Sequence, residues 1–503
     1  MHQLLPALSL EIIVIVLGVL MLFAEAFAKT ADRSGLARFA IFVLLCVFGF
    51  SFFTIPPPAE PTGFWRFYQI DTTALFFKRL ALITTVLVLI MSLEYRSVMA
   101  RFIPGVEPGH GTGEFYSLIV LICSGLMFMA SAVDFTMIFV SLELVTIGFY
   151  VLVAYMRRHT QSLEAGIKYL ILGALSTGFL VYGITWVFGI TGETNLAKIQ
   201  DKLLLGFAEH GALIGNEKAL LFGVVLIMVA LGFKIAASPF HLWVPDVYQG
   251  APTPVTAFLS VGSKAAGFII LFRVLEVFLS VPVIQTKLMP LLVILAAATL
   301  IFGNLAAIPQ DNLKRLFAYS SIAHAGYLLM AVVGYNSNPL GARDAIAFYM
   351  GGYLLMTLLS FLILIIVARH SRGDDISHFN GLGKRAPFLA FAMTIALASL
   401  AGIPLTVGFL GKFLAFKSAI EGGHMVLAVI AIVAVATGFY YYFRVIAAMY
   451  WQEPNDSTPI QSGLLSRISI SVLAVLIIVL GVNPKPLFDK LHDQIPVISV
   501  AKH

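Results

Sequence analysis

The feature that most constrains the fold is a succession of apolar segments that fills almost the whole chain. About fourteen runs of roughly 20 residues have the length of a helix that crosses a bilayer. They lie near 8–28, 36–55, 72–95, 114–132, 134–157, 164–190, 218–244, 253–278, 288–308, 315–335, 341–369, 387–420, 424–451 and 465–482. Only 12% of the residues are charged, against about 25% in soluble domains. The sequence therefore predicts an all-α integral membrane protein, since strands of a membrane barrel would be much shorter and would alternate in polarity.

Basic residues are concentrated in alternate short loops, which predicts the orientation of the helices. They follow spans one, three, five, nine and eleven, as Lys29, Arg33, Arg38, Arg96, Arg101, Arg157, Arg158, Lys314, Arg315, Arg369, Arg372, Lys384 and Arg385. Loops rich in lysine and arginine face the cytoplasm, so both termini are predicted on the opposite, periplasmic side. The net charge of +6 is spread over these loops and does not indicate a nucleic-acid-binding patch.

Several classes of cofactor site are excluded for this chain alone. It has two cysteines, Cys46 and Cys123, and both lie inside apolar runs. Two cysteines are too few for an iron–sulfur cluster or a cysteine-based zinc site. The sequence contains no G-x-G-x-x-G motif after a strand, no P-loop and no H-E-x-x-H motif. We therefore expect neither a bound metal nor a redox cofactor in this chain.

Polar residues within the predicted spans recur at a nearly constant spacing. The pairs are Glu143 and His324, Lys234 and Lys412, and Lys264 and Arg444, which lie 181, 178 and 180 positions apart. Proline or glycine interrupts spans seven and twelve, at Pro239 and within 402–408. The pattern predicts two five-helix units, 114–278 and 288–451, after an N-terminal three-helix segment, 1–113, and before a C-terminal helix and tail, 452–503. Since five is odd, the second unit enters from the opposite side, which gives an inverted repeat.

Two charged residues, Glu143 and Lys234, are predicted to form a buried pair. A charge at membrane depth costs about 2.5–3.5 kcal/mol on insertion scales, and such residues usually mark ion or proton pathways. Moving the carboxylate toward or away from the ammonium group would change how tightly the lysine holds its proton. The alternatives are a structural ion pair that fixes helix packing and, for Lys234, a side chain that snorkels to the interface.

Four further residues are candidates for proton transfer. Lys264 and Lys412 have no acidic neighbour in their own helices, and Lys412 follows the interruption of span twelve. His241 follows Lys234 by seven residues, which predicts the same helix face, and His324 lies inside span ten. Histidine suits relay chemistry near neutral pH, although a buried histidine can equally be a packing residue.

Other polar residues have simpler interpretations. The segment 245–250 is predicted to be a polar turn that reverses the chain, with Asp246 as its cap. Glu164 and Lys168 have the spacing of an ordinary helical ion pair, and Arg444 lies near enough to a helix end to snorkel.

Four stretches together resemble the N-type antiporter-like subunit of bacterial complex I, the proton-translocating NADH–quinone oxidoreductase. They are FKIAASPFHLWVPDVYQGAPTPVTAFLSVGSKAAG, NLAAIPQDNLKRLFAYSSIAHAGYLL, AGIPLTVGFLGKF and YYYFRVIAAMYW. The run DVYQGAPTPV favours the N type. The L-type relative carries a long lateral helix after span fourteen, for which the roughly twenty residues after Val482 are too few.

The resemblance implies fourteen helices, two inverted repeats and a central row of charged residues that conducts protons. By motif position, Glu143, Lys234, Lys264 and Lys412 match the family's charged residues of helices five, seven, eight and twelve. It also implies a bacterial inner-membrane location and neighbours of the K and M types. NAD, FMN, iron–sulfur clusters and quinone would belong to partner subunits, so this chain would be a non-redox subunit of a translocase.

Three other functions stay open at this stage. A cation/proton antiporter subunit of the multi-subunit Mrp type would share the fold but have no redox driver. A structural spacer would hold its neighbours without pumping. A stand-alone solute transporter is least favoured, because the sequence offers no extra polar residues for a substrate cage.

Overall fold

The computed structural model describes residues 8–27, 32–54, 66–105, 112–210, 217–371, 373–454 and 458–492. Within these ranges the chain is α-helical, and strand pairing is limited to three isolated bridges. Lys29, Arg372 and the end of the predicted C-terminal tail, 493–503, lie outside the described residues.

Eighteen helices of seven or more residues are named here in chain order. They are α1 (Ser9–Phe27), α2 (Ser34–Phe50), α3 (Thr72–Met99), α4 (Gly113–Ser131), α5 (Phe135–Val153), α6 (Thr160–Thr191), α7 (Leu196–His210), α8 (Glu217–Ile235), α9 (Val244–Gly250), α10 (Thr253–Leu279), α11 (Pro282–Ala307), α12 (Leu313–Val333), α13 (Pro339–Ser371), α14 (Pro387–Ala401), α15 (Val407–Glu421), α16 (Met425–Trp451), α17 (Leu464–Val482) and α18 (Lys485–His492).

The predicted membrane spans are confirmed. In the described ranges, 12 helices are long and apolar enough to cross a bilayer, and α2 and α14 are shorter apolar helices. Spans one to six are α1 to α6, and span seven begins with α8. Spans eight to eleven are α10 to α13, span twelve is the pair α14 and α15, and the last two are α16 and α17.

Spans seven and twelve are broken, as predicted. α8 ends at Ile235, and Ala236 then adopts a left-handed backbone with φ of +66°. α14 ends at Ala401, and Gly402 has φ of +93°, a conformation that suits glycine because it has no Cβ. The predicted turn at 245–250 is wrong, because Val244–Gly250 is a short helix. Pro245 stands in its first turn, where the missing N–H costs no hydrogen bond.

Equivalent bridges occur in the two predicted five-helix units. Asp134, which precedes α5, pairs with Asn195 beyond α6, and Asn312, which precedes α12, pairs with Asp375 beyond α13. Each bridge fixes the start of one spanning helix against the end of the next. Because five spans, five to nine, lie from the start of α5 to the start of α12, the two bridges lie on opposite membrane faces, which supports the proposed inverted repeat.

Three helices form the centre of the bundle. The apolar segments of α10, α12 and α13 are almost entirely covered by other helices, whereas those of α1, α6 and α17 are mostly exposed. α10 contains a π-helical turn, Leu259–Ser263, directly before Lys264. Such turns often mark functional positions because they rotate the following side chains.

A close crossing holds α11 against α12. A Cβ atom added to Gly303 would lie 2.4 Å from the backbone nitrogen of Ala323, and one added to Gly326 would lie 2.9 Å from that of Leu300. Small residues allow membrane helices to approach this closely, and here they fix the helix that carries His324.

Candidate functional site

Lys234 occupies the last turn of α8, immediately before the break. Its side chain is buried, and Nζ donates a hydrogen bond of 2.5 Å to Oγ1 of Thr146 on α5. The indole of Trp243 donates to the carbonyl of Phe233 at 3.1 Å, and the same carbonyl accepts from the backbone N–H of Ala236 at 3.2 Å. The helix therefore ends directly after a buried ammonium group that is bound to α5.

Glu143 lies one turn before Thr146 on α5. Its Oε1 accepts a hydrogen bond of 2.6 Å from Oγ1 of Thr177 on α6, and the side chain is half-buried. Among the described residues, no ion pair within 4 Å joins Glu143 to Lys234, so the predicted pair is not in direct contact, although the carboxylate interacts electrostatically with the ammonium group. Thr177 donates a hydrogen bond to the carboxylate, and Thr146 accepts one from the ammonium group. Because Glu143 and Thr146 are neighbours on one helix face, a single threonine separates the two charged groups.

Lys264 begins the regular part of α10 after the π-helical turn. Its side chain is buried, and Nζ donates to both the carbonyl and the hydroxyl oxygen of Ser321 on α12. Gly267, one turn further along α10, packs against Lys234, since a Cβ added there would lie 3.6 Å from the Cβ of Lys234. The two lysines are thus held on neighbouring helices.

His324 lies one turn after Ser321, between two tyrosines. Its Nδ1 is 2.8 Å from the hydroxyl of Tyr349, and its Nε2 is 3.3 Å from that of Tyr442. The ring is 1% exposed, so both nitrogens depend on these partners. Since either ring nitrogen can donate or accept, the histidine can pass a proton from one hydroxyl to the other.

Lys412 approaches from beyond the second break. It lies in α15, and its Nζ reaches back to the carbonyls of Leu400 and Ala401, at 2.8 Å each. These carbonyls end α14, where the helix dipole favours a cation. Nζ also lies 4.9 Å from the ring centre of Tyr327, one turn after His324. Lys412 therefore lies after the break in span twelve, whereas Lys234 lies before the break in span seven. The spacing of 178 residues between the two lysines does not place them at equivalent positions of the two broken helices.

His241 does not join the other candidates. α8 ends before it, so the prediction that it shares a helix face with Lys234 is wrong. It is buried in the segment between α8 and α9, with its ring centre 5.9 Å from that of Phe302. Within the described part of the chain its Nδ1 has no hydrogen-bond partner.

The remaining five candidates form one row across the bundle. Glu143 and Lys234 are linked through Thr146, Lys234 and Lys264 through the contact of α8 with α10, and Lys264 and His324 through α12. Lys412 closes the row at Tyr327. The other steps join polar groups within one helical turn or one hydrogen bond, whereas Lys234 and Lys264 meet through helix packing at Gly267, a step that small movements of side chains or water would have to complete.

The sequence interpretation missed the hydroxyl groups between these residues. Ser321 Oγ accepts from Tyr353 at 3.0 Å and lies 3.2 Å from the hydroxyl of Tyr248, while Ser320 is hydrogen-bonded to Tyr442. Ser320 and Ser321, one helical turn before His324 in the sequence, were a signal for this network.

A buried charge pair outside the row was also missed. Lys78 Nζ on α3 lies 2.8 Å from Oε1 of Glu11 on α1, and Tyr68 donates to the same oxygen at 2.7 Å. Both charged side chains are fully buried. A carboxylate and an ammonium group in two apolar runs were the available signal, and the pair fastens the first helix to the bundle.

Asp246 joins three helices outside the row. Its carboxylate accepts from Lys168 on α6 at 2.6 Å and from Arg315 on α12 at 2.8 Å, so it does not cap a turn as predicted. The predicted pair of Lys168 with Glu164 is present at 2.7 Å. Arg444 donates to the carbonyl of Ile308 at 3.1 Å. The short helix α9 is therefore tied to both five-helix units at one membrane face.

The Asp246 cluster should make stability depend on pH. Burial alone would raise the pKa of Asp246, but the hydrogen bonds from Lys168 and Arg315 outweigh it and hold that pKa below its usual range. The stabilisation is full above the unfolded pKa of about 3.9 and is lost as the pH falls through the lower folded pKa. We expect Asp246→Asn to lower the unfolding temperature at pH 7 by about 2 °C.

Thermal unfolding in detergent at pH 7 and near pH 3 tests this expectation. The difference between wild type and Asp246→Asn should shrink at the lower pH. Asp201→Asn, at an exposed position on α7, provides the control and should change neither value. An equal deficit of Asp246→Asn at both pH values would contradict the role of its ionised form.

Comparison with known proteins places this geometry among membrane antiporter-like subunits. Residues 132–438 match the family described as NADH:quinone oxidoreductase/Mrp antiporter, transmembrane. NADH-quinone oxidoreductase subunit N of Desulforamulus reducens is 38% identical over 96% of this chain and 96% of its own length. Subunit N 2 of Chloroherpeton thalassium is also 38% identical, over 88% of this chain and 85% of its own. A chain of respiratory complex I from Thermus thermophilus superimposes with a TM-score of 0.77 at 30% identity, covering 96% of this chain and 99% of that one.

Proposed function

The chain belongs to the family of NADH-quinone oxidoreductase subunit N, and from this premise we propose that it moves protons through the row of Glu143, Lys234, Lys264, His324 and Lys412. It is a membrane-arm subunit of the complex and carries no redox centre of its own. The observation that carries the proposal is the continuity of the row: three buried lysines and a buried histidine are joined by hydroxyl groups, carbonyls and close helix contacts.

The chemistry of the row suits exchange of protons rather than storage of fixed charge. Lys264 and Lys412 are held by neutral oxygens instead of carboxylates, so each can lose its proton without stranding a partner charge. His324, with a tyrosine hydroxyl on each ring nitrogen, lies between the two lysine sites, one turn from Ser321 and one turn from Tyr327. A change in the ionisation of one member alters the Coulomb energy of the next, which transmits the event along the row.

Glu143 is the member best placed to receive a signal from outside the chain. On α5 it lies between Val140 and Ile147, which are 56% and 57% exposed. A neighbouring membrane subunit that covered this apolar face would bring its own polar groups close to the carboxylate. We propose neighbours of the K and M types, with NAD, FMN, iron–sulfur clusters and quinone held in partner subunits.

The proposed setting is the bacterial inner membrane, with both termini on the periplasmic side. The arginine-rich ends of α3 and α13 and the start of α12 support this orientation, since they lie on one face. The Mrp-type alternative has the same fold, but the 38% identity with subunit N over nearly the whole chain favours the redox-driven complex.

The substitution Glu143→Gln tests the proposal against a purely structural role. The amide keeps a hydrogen bond with Thr177 but cannot ionise, so we expect an assembled complex whose proton pumping and coupled NADH oxidation fall by about tenfold. Pumping is measured in membrane vesicles by the quenching of a pH-sensitive dye. Glu164→Gln, at a 60% exposed side chain on α6, is the matched control. Wild-type pumping in Glu143→Gln would overturn the role of this carboxylate.

A further inference from the structure

Two cavities lie along one seam of the bundle, and no member of the proton row is among the described residues that line them. α2 packs on α3, α17 packs on α13, and α3 packs on α13. The two outer helices, α2 and α17, leave a groove between them whose floor is α3 and α13. One cavity, of about 870 Å³, lies at the arginine-rich end of this seam, and a smaller one of about 230 Å³ lies further along it.

The larger cavity has an excess of positive charge. Among the described residues, its walls contain three arginines, Arg38, Arg96 and Arg369, and two carboxylates, Asp32 and Glu94. Glu94 is fully engaged, since it accepts from Arg369 at 2.7 Å, from the hydroxyl of Ser466 at 2.7 Å and from the backbone of Gly463 at 3.2 Å.

The other two arginines have weaker partners. Arg96 lies 3.9 Å from Asp32, at the limit of an ion pair, and Asp32 also accepts from Ser34 at 2.7 Å. Within the described ranges, Arg38 forms its hydrogen bonds with the hydroxyl and the carbonyl of Ser34, at 3.1 and 3.5 Å. One unit of positive charge is thus left over, and two guanidinium groups retain donors for an anion. A phosphodiester carries one negative charge and matches the guanidinium fork.

The rest of the seam is mostly apolar, although Arg79, which donates to the carbonyl of Ser51 at 2.8 Å, also lines the smaller cavity. Ile90 and Leu93 of α3 line the larger cavity below the arginines, and the smaller cavity is bounded by Phe48, Ile83 and Leu354. Along α3, Ile83 and Arg96 are separated by about 20 Å at the helical rise of 1.5 Å per residue. The hydrocarbon of one leaflet is about 15 Å thick, so an acyl chain that starts among the arginines ends close to the smaller cavity.

We propose that this seam is a binding site for one anionic phospholipid. Its phosphate would lie between Arg38 and Arg96, and an acyl chain would follow α3 into the apolar groove. The site would join α2 and α17, which belong to the terminal segments, across the helices of the bundle. It does not depend on the proposed proton row, from which it is separated by α3 and α13.

Lipid retention by the purified complex tests the site. The complex is exchanged into detergent with dioleoyl phosphatidylglycerol or dioleoyl phosphatidylcholine, and the lipid bound is counted by native mass spectrometry. Each arginine near a charged lipid surface contributes about 1 kcal/mol, which is about fivefold in affinity. The double variant Arg38→Gln, Arg96→Gln should therefore weaken phosphatidylglycerol binding by about 25-fold. Arg157→Gln, an exposed arginine on the same face, should bind like wild type.

A second variant tests the apolar half of the site. Gly351 lines the smaller cavity, and a Cβ added there makes only ordinary contacts, 3.4 Å from Leu487 and 3.5 Å from Phe76. Gly351→Leu should therefore fold, fill the groove and reduce phosphatidylglycerol binding while both arginines remain. Soluble glycerol phosphate should not compete, because it has no acyl chain.

Three outcomes would overturn the proposal. They are equal phosphatidylglycerol retention by wild type and the double arginine variant, equal retention of phosphatidylcholine and phosphatidylglycerol by wild type, and full competition by glycerol phosphate. The last would identify the cavity as a site for free phosphate compounds. Because binding is counted directly, loss of proton pumping in any variant does not affect the result.

Discussion

Replacing Lys234 with alanine is expected to leave the complex assembled but to abolish most proton-coupled turnover, by about a hundredfold. Among the described residues, the hydrogen bond from the ammonium group of Lys234 links Thr146 on α5 to the broken end of α8. Without it, a charge at Glu143 no longer acts on a titratable neighbour, and the row begins only at Lys264. NADH oxidation that collapses the membrane potential and dye quenching in vesicles measure turnover and pumping separately.

The matched control for Lys234→Ala is Lys218→Ala on the same helix. Lys218 lies in the first turn of α8 and is exposed, so its loss removes one charge without touching the row. We expect turnover within about twofold of wild type for this variant, since surface charges contribute little. Normal pumping in Lys234→Ala would show that protons bypass α8, and loss of assembly would instead assign the lysine a structural role.

The sequence was sufficient to predict the spans and both broken helices. Crossing a bilayer requires about 20 mostly apolar residues, and each predicted segment has about this length and composition. Pro239 and the segment 402–408 remove backbone donors or relax the backbone, so the breaks are local properties of the chain. The buried position of Lys264, Lys412 and His324 followed from the same rule, because the interior is the favourable place for a polar group at membrane depth.

The contacts between helices could not be predicted in this way. Whether Glu143 meets Lys234 or Thr177 depends on the rotation and tilt of α5, α6 and α8, which are set by packing over whole helix faces. The same holds for His241, whose direction changed once the helix ended at Ile235 instead of continuing through the proline. The hydroxyls around His324 are common residues whose role appears only when α12, α13 and α16 are brought together.

Filling the glycine contact between α11 and α12 is expected to prevent stable assembly. In Gly303→Leu, the first added carbon would lie 2.4 Å from the backbone nitrogen of Ala323 and 2.8 Å from its Cα. Backbone atoms in a buried helix cannot move aside as a flexible side chain can, so α11 and α12 must separate. Overpacking of this kind costs about 3 kcal/mol or more, and we expect little complex to be recovered from membranes by size-exclusion chromatography.

The displacement in Gly303→Leu should reach the proton row, because Ala323 directly precedes His324 and α12 also carries Ser321. Any complex that does assemble should therefore pump less per molecule than wild type. Gly178→Leu is the control, since a Cβ at Gly178 on α6 meets no described atom within 4 Å and leucine favours the helix by roughly 1 kcal/mol. Equal yields of the two variants would mean that α11 and α12 can separate without cost, so that the close crossing is not what holds His324 in place.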